Sequence, residues 1–401
     1  MIRFHLFMCM ILCCYTAGYS QAAEPSKAKI SQNNYSKTIQ LEGQKPIQKK
    51  KESSATKPTQ AKAKAESMND APALQESEQL NESLEKATSN SYLQDPVHWF
   101  NSYTNKRNSY LSDDGVISKK EQEELGVVIS ESKSYISNSF EFNYINLRQN
   151  RNNAEAGKHL QEAIKTGGIS NSLLLPEIAW IAERLGDVSK RNQALGQYES
   201  QGNLSGVQKA MATWSLNIVE PGSLIITNGE FDTYPLWLQQ QKKNMHIVSL
   251  GMLEDADWLS KTLKSWNPGM AVPKNINSAR SLIDFLLKQS AKPVYLSLSI
   301  RSGILSSYSS NLNPVGPLAR LSSTSWNSTT ALATFYLDAS FQQYLKSGLN
   351  SNDPFLPYLA NLLPGAFLLK TQLKAVNDPR ASKAEEIYQQ LKSITGKSIR
   401  Q

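Results

Sequence analysis

Three short apolar runs constrain this chain more than anything else in it. They are Ser223–Thr227 (SLIIT), His246–Leu250 (HIVSL) and Val294–Ile300 (VYLSLSI). The first follows a Pro221-Gly222 break and is apolar without alternation, the pattern of a strand buried on both faces. Between the runs, Leu236–Lys242, Asp257–Trp266 and Ser278–Gln289 read as helices. Strands alternating with helices imply a parallel sheet with right-handed crossovers. The expected fold class is therefore α/β, a small parallel three-layer sheet domain over residues 220–325. A helical, tetratricopeptide-like module precedes it over 76–219, and C-terminal helices over 326–401 pack on it.

Ligands of such sheets bind beyond the carboxyl ends of the strands. That rule selects Asn228-Gly229-Glu230-Phe231-Asp232-Thr233, Glu254-Asp255-Ala256-Asp257-Trp258 and Arg301-Ser302-Gly303. Candidate ligand-binding residues are Asn228, Gly229, Glu230, Asp232, Thr233, Trp237, Asp255, Asp257, Trp258 and Arg301. Glu230, Asp232 and Asp257 are the candidates for a catalytic role, as an acid and base pair. Carboxylates, amides and a tryptophan face also suit a sugar. Clustered carboxylates can hold a divalent cation, although no metal site or other cofactor is assigned. A purely structural reading stands beside these. Asp232 can cap a helix beginning near Pro235, since Asp is a good N-cap and Pro is tolerated in a first turn. Asp257 can do the same for the next helix, Asn228-Gly229 suits a turn, and the tryptophans can be core. Residues 302–330, rich in Ser, Asn, Gly and Pro, read as a long loop. No G-x-S-x-G elbow accompanies Ser302.

The middle of the chain carries a repeat. Ala154–Gly168 and Val188–Gly202 lie 34 residues apart, each preceded by Asn153 or Asp187 and closed by glycine. Thirty-four is about the tetratricopeptide period. Between them Leu173–Leu185 places Ile178, Ile181 and Leu185 on one helical face. Upstream, Ser112–Ser118 with Glu121 resembles the second part of an EF-hand loop aligned on Gly115, with Asp114 and Glu121 at ligand positions. The first position would be Tyr110, which supplies no carboxylate, so a turn and helix N-cap is the preferred reading. Downstream, Thr329–Leu345, Pro357–Leu368 and Ala381–Ile394 read as helices. Leu359, Leu362, Leu363 and Phe367 share one apolar face, expected to cover the sheet or the middle module.

Charge and cysteine usage speak to location. Of the net charge of +8, the segment 24–66 contributes +6. A basic tail, rather than a basic folded face, argues against nucleic acid as a partner. Residues 24–75 are poor in large apolar residues and read as a disordered Lys-rich tether, a spacer with at most peripheral membrane attraction. Residues 1–23 read as a cleaved signal peptide: Arg3, an apolar Phe4–Tyr15, and Ser20-Gln21-Ala22-Ala23 as the cleavage site. The three cysteines, Cys9, Cys13 and Cys14, all lie there. Without that segment there is no disulfide, cysteine–zinc site or thiol nucleophile. The expected location is periplasmic or extracellular.

The first strand exit also carries a resemblance. Ile225–Trp237 (IITNGEFDTYPLW) resembles the T-N-G-D-x-D-T-[FY]-P-L-W signature in the soluble part of a family of bacterial multi-spanning proteins related to protein O-mannosyltransferases. Asp257-Trp258 is similar to a D-W pair of that family, and Gly316–Leu321 to its G-L-x-Y-R-L. Glu230 stands where the signature has Asp, and Phe231 where it has a polar residue. The resemblance covers about 205–325 and implies the fold and compartment of the soluble domain. It does not carry glycosyl transfer, because the membrane half is absent here. Together these readings point to a secreted cell-envelope protein, a non-catalytic binding or scaffold module recognising a protein partner or envelope glycan. The alternative is an enzyme or accessory subunit acting on envelope glycans or activated sugars through a carboxylate cluster at the sheet edge.

Overall fold

The computed structural model describes residues 92–110, 117–240, 244–324, 326–348 and 352–398. The signal peptide, the Lys-rich tether and the EF-hand-like residues 112–116 lie outside the described residues. The chain is mostly helical, with one mixed five-stranded sheet. Among the described residues no helix is long and apolar enough to cross a membrane.

Among the described residues seven helices precede the sheet: α1 (Pro96–Ser109), α2 (Lys119–Ile136), α3 (Phe140–Asn150), α4 (Ala156–Gly167), α5 (Leu174–Leu185), α6 (Val188–Ser200) and α7 (Gly206–Ile218). Their ends follow local chemistry. Ser118 caps α2, and Glu121 completes a capping box by accepting from the Ser118 amide at 2.7 Å. The repeated glycines Gly168, Gly186 and Gly202 all have φ near +78°, a conformation that glycine enters without a Cβ penalty. Helix α3 packs on α4, and α5 on α6, as successive pairs. The single apolar face expected on α5 is too modest a description. Leu174 to Ala182 are all buried, whereas Leu185 is 72% exposed. Helix α5 packs against α6, α4 and α3, and its Trp180 packs against Tyr234, Trp237 and Gly251.

The sheet is ordered β2-β1-β3-β5-β4, with β1 Leu224–Thr227, β2 His246–Ser249, β3 Val294–Ser297, β4 Leu312–Pro314 and β5 Leu318–Leu321. Strands β2 and β3 flank β1 and run parallel to it, with Ile226 opposite both Val248 and Leu296. Strands β5 and β4 are antiparallel additions. They correct the expected loop over 302–330, which also contains a short helix, α11 (Ser302–Ser307). Its Ser, Asn, Gly and Pro content hid a hairpin whose turn needs glycine. Gly316 has φ +115°, and a Cβ there would lie 2.9 Å from the Phe335 ring.

The crossovers are α8 (Glu230–Gln239), α9 (Ala256–Trp266) and α10 (Ala279–Gln289). Helix α8 starts well before the expected Pro235, which instead sits inside it. Proline has no N–H for the carbonyl four residues back. That carbonyl, Phe231 O, accepts instead from Gln208 Nε2 of α7 at 3.3 Å.

Four further helices, α12 (Thr329–Tyr336), α13 (Ala339–Gly348), α14 (Leu363–Ala375) and α15 (Ala381–Ser398), follow the sheet, with a 3-10 turn over Leu356–Leu362. The expected continuous helix 329–345 is broken, and Asp338 accepts from the amides of Ser340 and Phe341 at the restart. Ala331 of α12 packs against the core of the sheet. The C-terminal helices enclose a second core with α7, which presents Val207, Met211 and Trp214 to it and Ala212, Leu216 and Val219 to the first core. Leu359, Leu362 and Leu363 are buried in that second core, while Phe367 is partly buried against Tyr388.

Candidate functional site

The exits of β1, β2 and β3 do lie side by side, and hydroxyls and one carboxylate lace them together. Asp232, third residue of α8, reaches back to accept from the amides of Gly229 (3.2 Å) and Asn228 (3.1 Å). It also accepts from Ser299 Oγ, just past β3, at 2.5 Å. Thr233 Oγ1 meets Thr227 Oγ1 at 2.7 Å and donates to Ser249 Oγ at 3.4 Å, tying β1 to β2. Asp232 and Thr233 are buried. Asn228 Oδ1 is buried and has no hydrogen-bond partner among the described residues. Asn228, Gly229, Asp232 and Thr233 are thus brought together at one point.

The other candidates point elsewhere. Glu230 leaves the strand ends and ion-pairs with Arg148 and, at 2.8 Å, with Arg151 of the α3 terminus. Both arginines also pair with Glu177 of α5, whose side chain is fully buried. The Arg151 guanidinium lies 3.9 Å from the centroid of the Trp180 ring. Burial works to raise the Glu230 pKa, but Arg148, Arg151 and Arg107 outweigh it and hold the carboxyl at about 2. Burial pushes the Tyr234 phenol up, with Glu230 and Glu177 adding to the effect. Asp255 caps α9 by accepting from Trp258 N at 2.9 Å and pairs with Arg184 Nε at 2.5 Å. Asp257 is exposed in the first turn of α9. Trp237 and Trp258 are core residues, 0% and 4% exposed. Arg301 is partly buried where α11 begins.

The carboxyl edge of the sheet is therefore an internal interface with the helical module. Asn152 adds to it by donating to Gly251 O at 3.0 Å while accepting from Trp180 Nε1 at 2.7 Å. Gly251 admits the indole, since a Cβ there would lie 2.9 Å from Trp180. The departures from the resembled signature fall on this docking. Glu230 reaches the arginines of α3, and Phe231 stacks on Tyr358 of the C-terminal helices at 3.9 Å between ring centroids.

Sequence reasoning missed Arg107, Arg148, Arg151, Glu177, Arg184 and Ser299. One signal was available. Glu177 is the lone acid in the first two turns of an otherwise apolar helix (LLPEIAWIAERL), and a charge in such a run needs a cation. Arg148 and Arg151, three residues apart, offer one on a single helix face.

Chemically, Glu230 is held ionised by the arginines, and Asp232 accepts from three protein donors. Among the described residues no group of three or more His, Cys, Asp or Glu side chains converges as a metal site. No family model matches the chain, and no curated protein or solved structure does either.

Proposed function

We propose that this chain is a secreted bacterial cell-envelope protein whose folded part is a non-catalytic binding or scaffold module for a protein partner or envelope glycan. The observation that carries this reading is the fate of the strand-exit acids. Asp232 closes a turn, Glu230 and Asp255 hold arginines of the helical module, and Asp257 stands apart in solvent. A hydrolase or transferase needs an acid and a base facing a common substrate, and these residues face protein. In this reading α3–α6 form a tetratricopeptide-like module, and the sheet with its crossover helices forms a three-layer α/β domain. That domain is akin to the soluble part of the O-mannosyltransferase-related family. The Lys-rich segment 24–75 acts as spacer after cleavage at Ala23, in the periplasm or outside the cell. Asn228 Oδ1, an acceptor without a partner among the described residues, supports a polar ligand at the strand ends.

The test incubates the purified protein with isolated envelope glycans and with activated sugars. Binding is followed by co-sedimentation and product formation by mass spectrometry. Saturable binding without turnover is expected. Turnover that Asp232→Asn abolishes while the variant stays folded would replace this reading with an enzyme of envelope glycans.

A further inference from the structure

One guanidinium at the module interface makes no ion pair among the described residues. The C-terminal ends of α1 and α3 place Arg107, Arg148 and Arg151 around one polar cavity, closed on its far side by the loop after β2. Arg148 and Arg151 share the carboxylates of Glu177 and Glu230. The Arg107 guanidinium makes no ion pair or hydrogen bond among the described residues. Among the described residues three guanidinium groups thus meet three carboxylates, Glu177, Glu230 and Glu254, and Arg107 lines the cavity without a bond to any of them. Burial, then Arg148 and Arg151, depress the Arg107 pKa, so the surroundings disfavour the charge it carries. An uncompensated, partly buried guanidinium is costly unless something pairs with it.

The rest of the cavity suits an anion. Its volume is about 40 Å³, against the ~10–15 Å³ that one water needs. Gln122 and Asn152 line it with side-chain amides. At the mouth stands the exposed Glu254, which accepts from Gln122 Nε2 at 3.2 Å and from Asn152 Nδ2 at 3.1 Å. Among the described residues it is the one acid of the lining, and it draws both amide donors toward itself. An entering oxyanion would take those donors over while Arg107 supplies the counter-charge. Planar guanidinium groups match the oxygens of phosphate in paired hydrogen bonds.

We propose that Arg107, with Arg148, Gln122 and Asn152, forms a binding site for a phosphoryl group at the junction of the helical module and the sheet. The site is separate from the strand-end residues. It does not depend on the envelope reading, and each can fail without the other.

The experiment titrates the full-length protein with inorganic phosphate, a sugar phosphate and acetate at constant ionic strength, reading Tm and calorimetric affinity. Phosphate raises Tm in a saturable way. Arg107→Gln weakens phosphate binding by about tenfold or more, as loss of a charge-assisted contact requires. The same variant has an unchanged or higher Tm in phosphate-free buffer, because no side-chain bond among the described residues is lost. Glu254→Gln, which removes the acid at the mouth, tightens binding. A sugar phosphate that binds more tightly than inorganic phosphate identifies a phosphorylated ligand, and equal affinity identifies the free ion. The proposal is overturned if wild type and Arg107→Gln respond alike to phosphate, or if acetate alone binds. It is equally overturned if Arg107→Gln lowers Tm in a protein indifferent to phosphate, since Arg107 would then be a structural cation.

Discussion

Glu177 is the residue on which the interface turns. Its fully buried carboxylate pairs with two arginines from α3, and both also need Glu230. Removing one partner of a buried pair leaves the other charge uncompensated, at a cost of ~3–5 kcal/mol. Glu177→Gln should therefore lower stability by about that much, and Glu230→Gln by less, because water reaches part of Glu230 and screens it. Urea denaturation midpoints rank the two variants, and the reverse order would refute the assignment. Acid has a related effect. Glu230 titrates at about 2 in the folded chain, below the ~4.3 of an unperturbed Glu. Its contribution is complete above the unfolded value and is lost as pH falls from ~4.3 toward the folded value. Glu230→Gln should flatten the loss of stability across that window, which a pH series of denaturation midpoints measures. Only one half of this network was legible in the sequence. A lone acid in an apolar helix signals a buried ion pair, but its cations sit 26 and 29 residues earlier on another helix, and no periodicity joins them.

Between elements, two amide side chains join α7 to α8: Gln239 bonds Thr213 and Lys209 O, and Gln208 works from the other helix. Gln208 accepts from the Ser205 amide at 2.9 Å, completing the cap of α7, and donates to the carbonyl that Pro235 leaves free. Gln208→Leu removes both bonds and leaves Phe231 O without its donor, at a cost of ~1–3 kcal/mol for an unsatisfied group. A thermal melt should show the drop, with far-UV circular dichroism unchanged below the transition. Retained wild-type stability would mean that water serves that carbonyl equally well. Helix α8 also shows where local signals mislead. Asp232 and Pro235 together resemble an N-terminus near Pro235, and Asp232 does act as a capping acceptor. The helix nonetheless begins five residues before the proline, because a donor from α7 removes the penalty that a proline interior to a helix carries. The strands β4 and β5 were missed for a similar reason. Their hairpin is set by Gly316 against Phe335, a contact with a helix later in the chain.

The whole molecule is built on two cores that share α7. Val207, Met211 and Trp214 form one stripe, and Ala212, Leu216 and Val219 another, each at helical spacing. Trp214 alone meets Phe335, Phe341 and Tyr344. Truncation after residue 325 would leave the first core intact and expose the Val207–Met211–Trp214 stripe with Phe231. Exposed contiguous apolar surface of that kind drives association. The truncated chain should therefore bind a hydrophobic dye and elute as oligomers in size-exclusion chromatography. A monodisperse, dye-silent product would show that the C-terminal helices are a separable appendage.

Length and pattern alone set the three parallel strands, because continuous apolar runs between amphipathic helices leave the chain little choice of sheet. The helical middle and its glycine stops were also legible, since helix periodicity and a left-handed closing residue are local properties. The use of the strand-exit acids was decided elsewhere. Asp232 and Glu230 are two residues apart, yet one turns to Ser299 and the other to Arg148 and Arg151. Such a choice depends on which cations and hydroxyls distant helices bring within hydrogen-bond reach, and electrostatic partnership in a folded chain is set by distance in space.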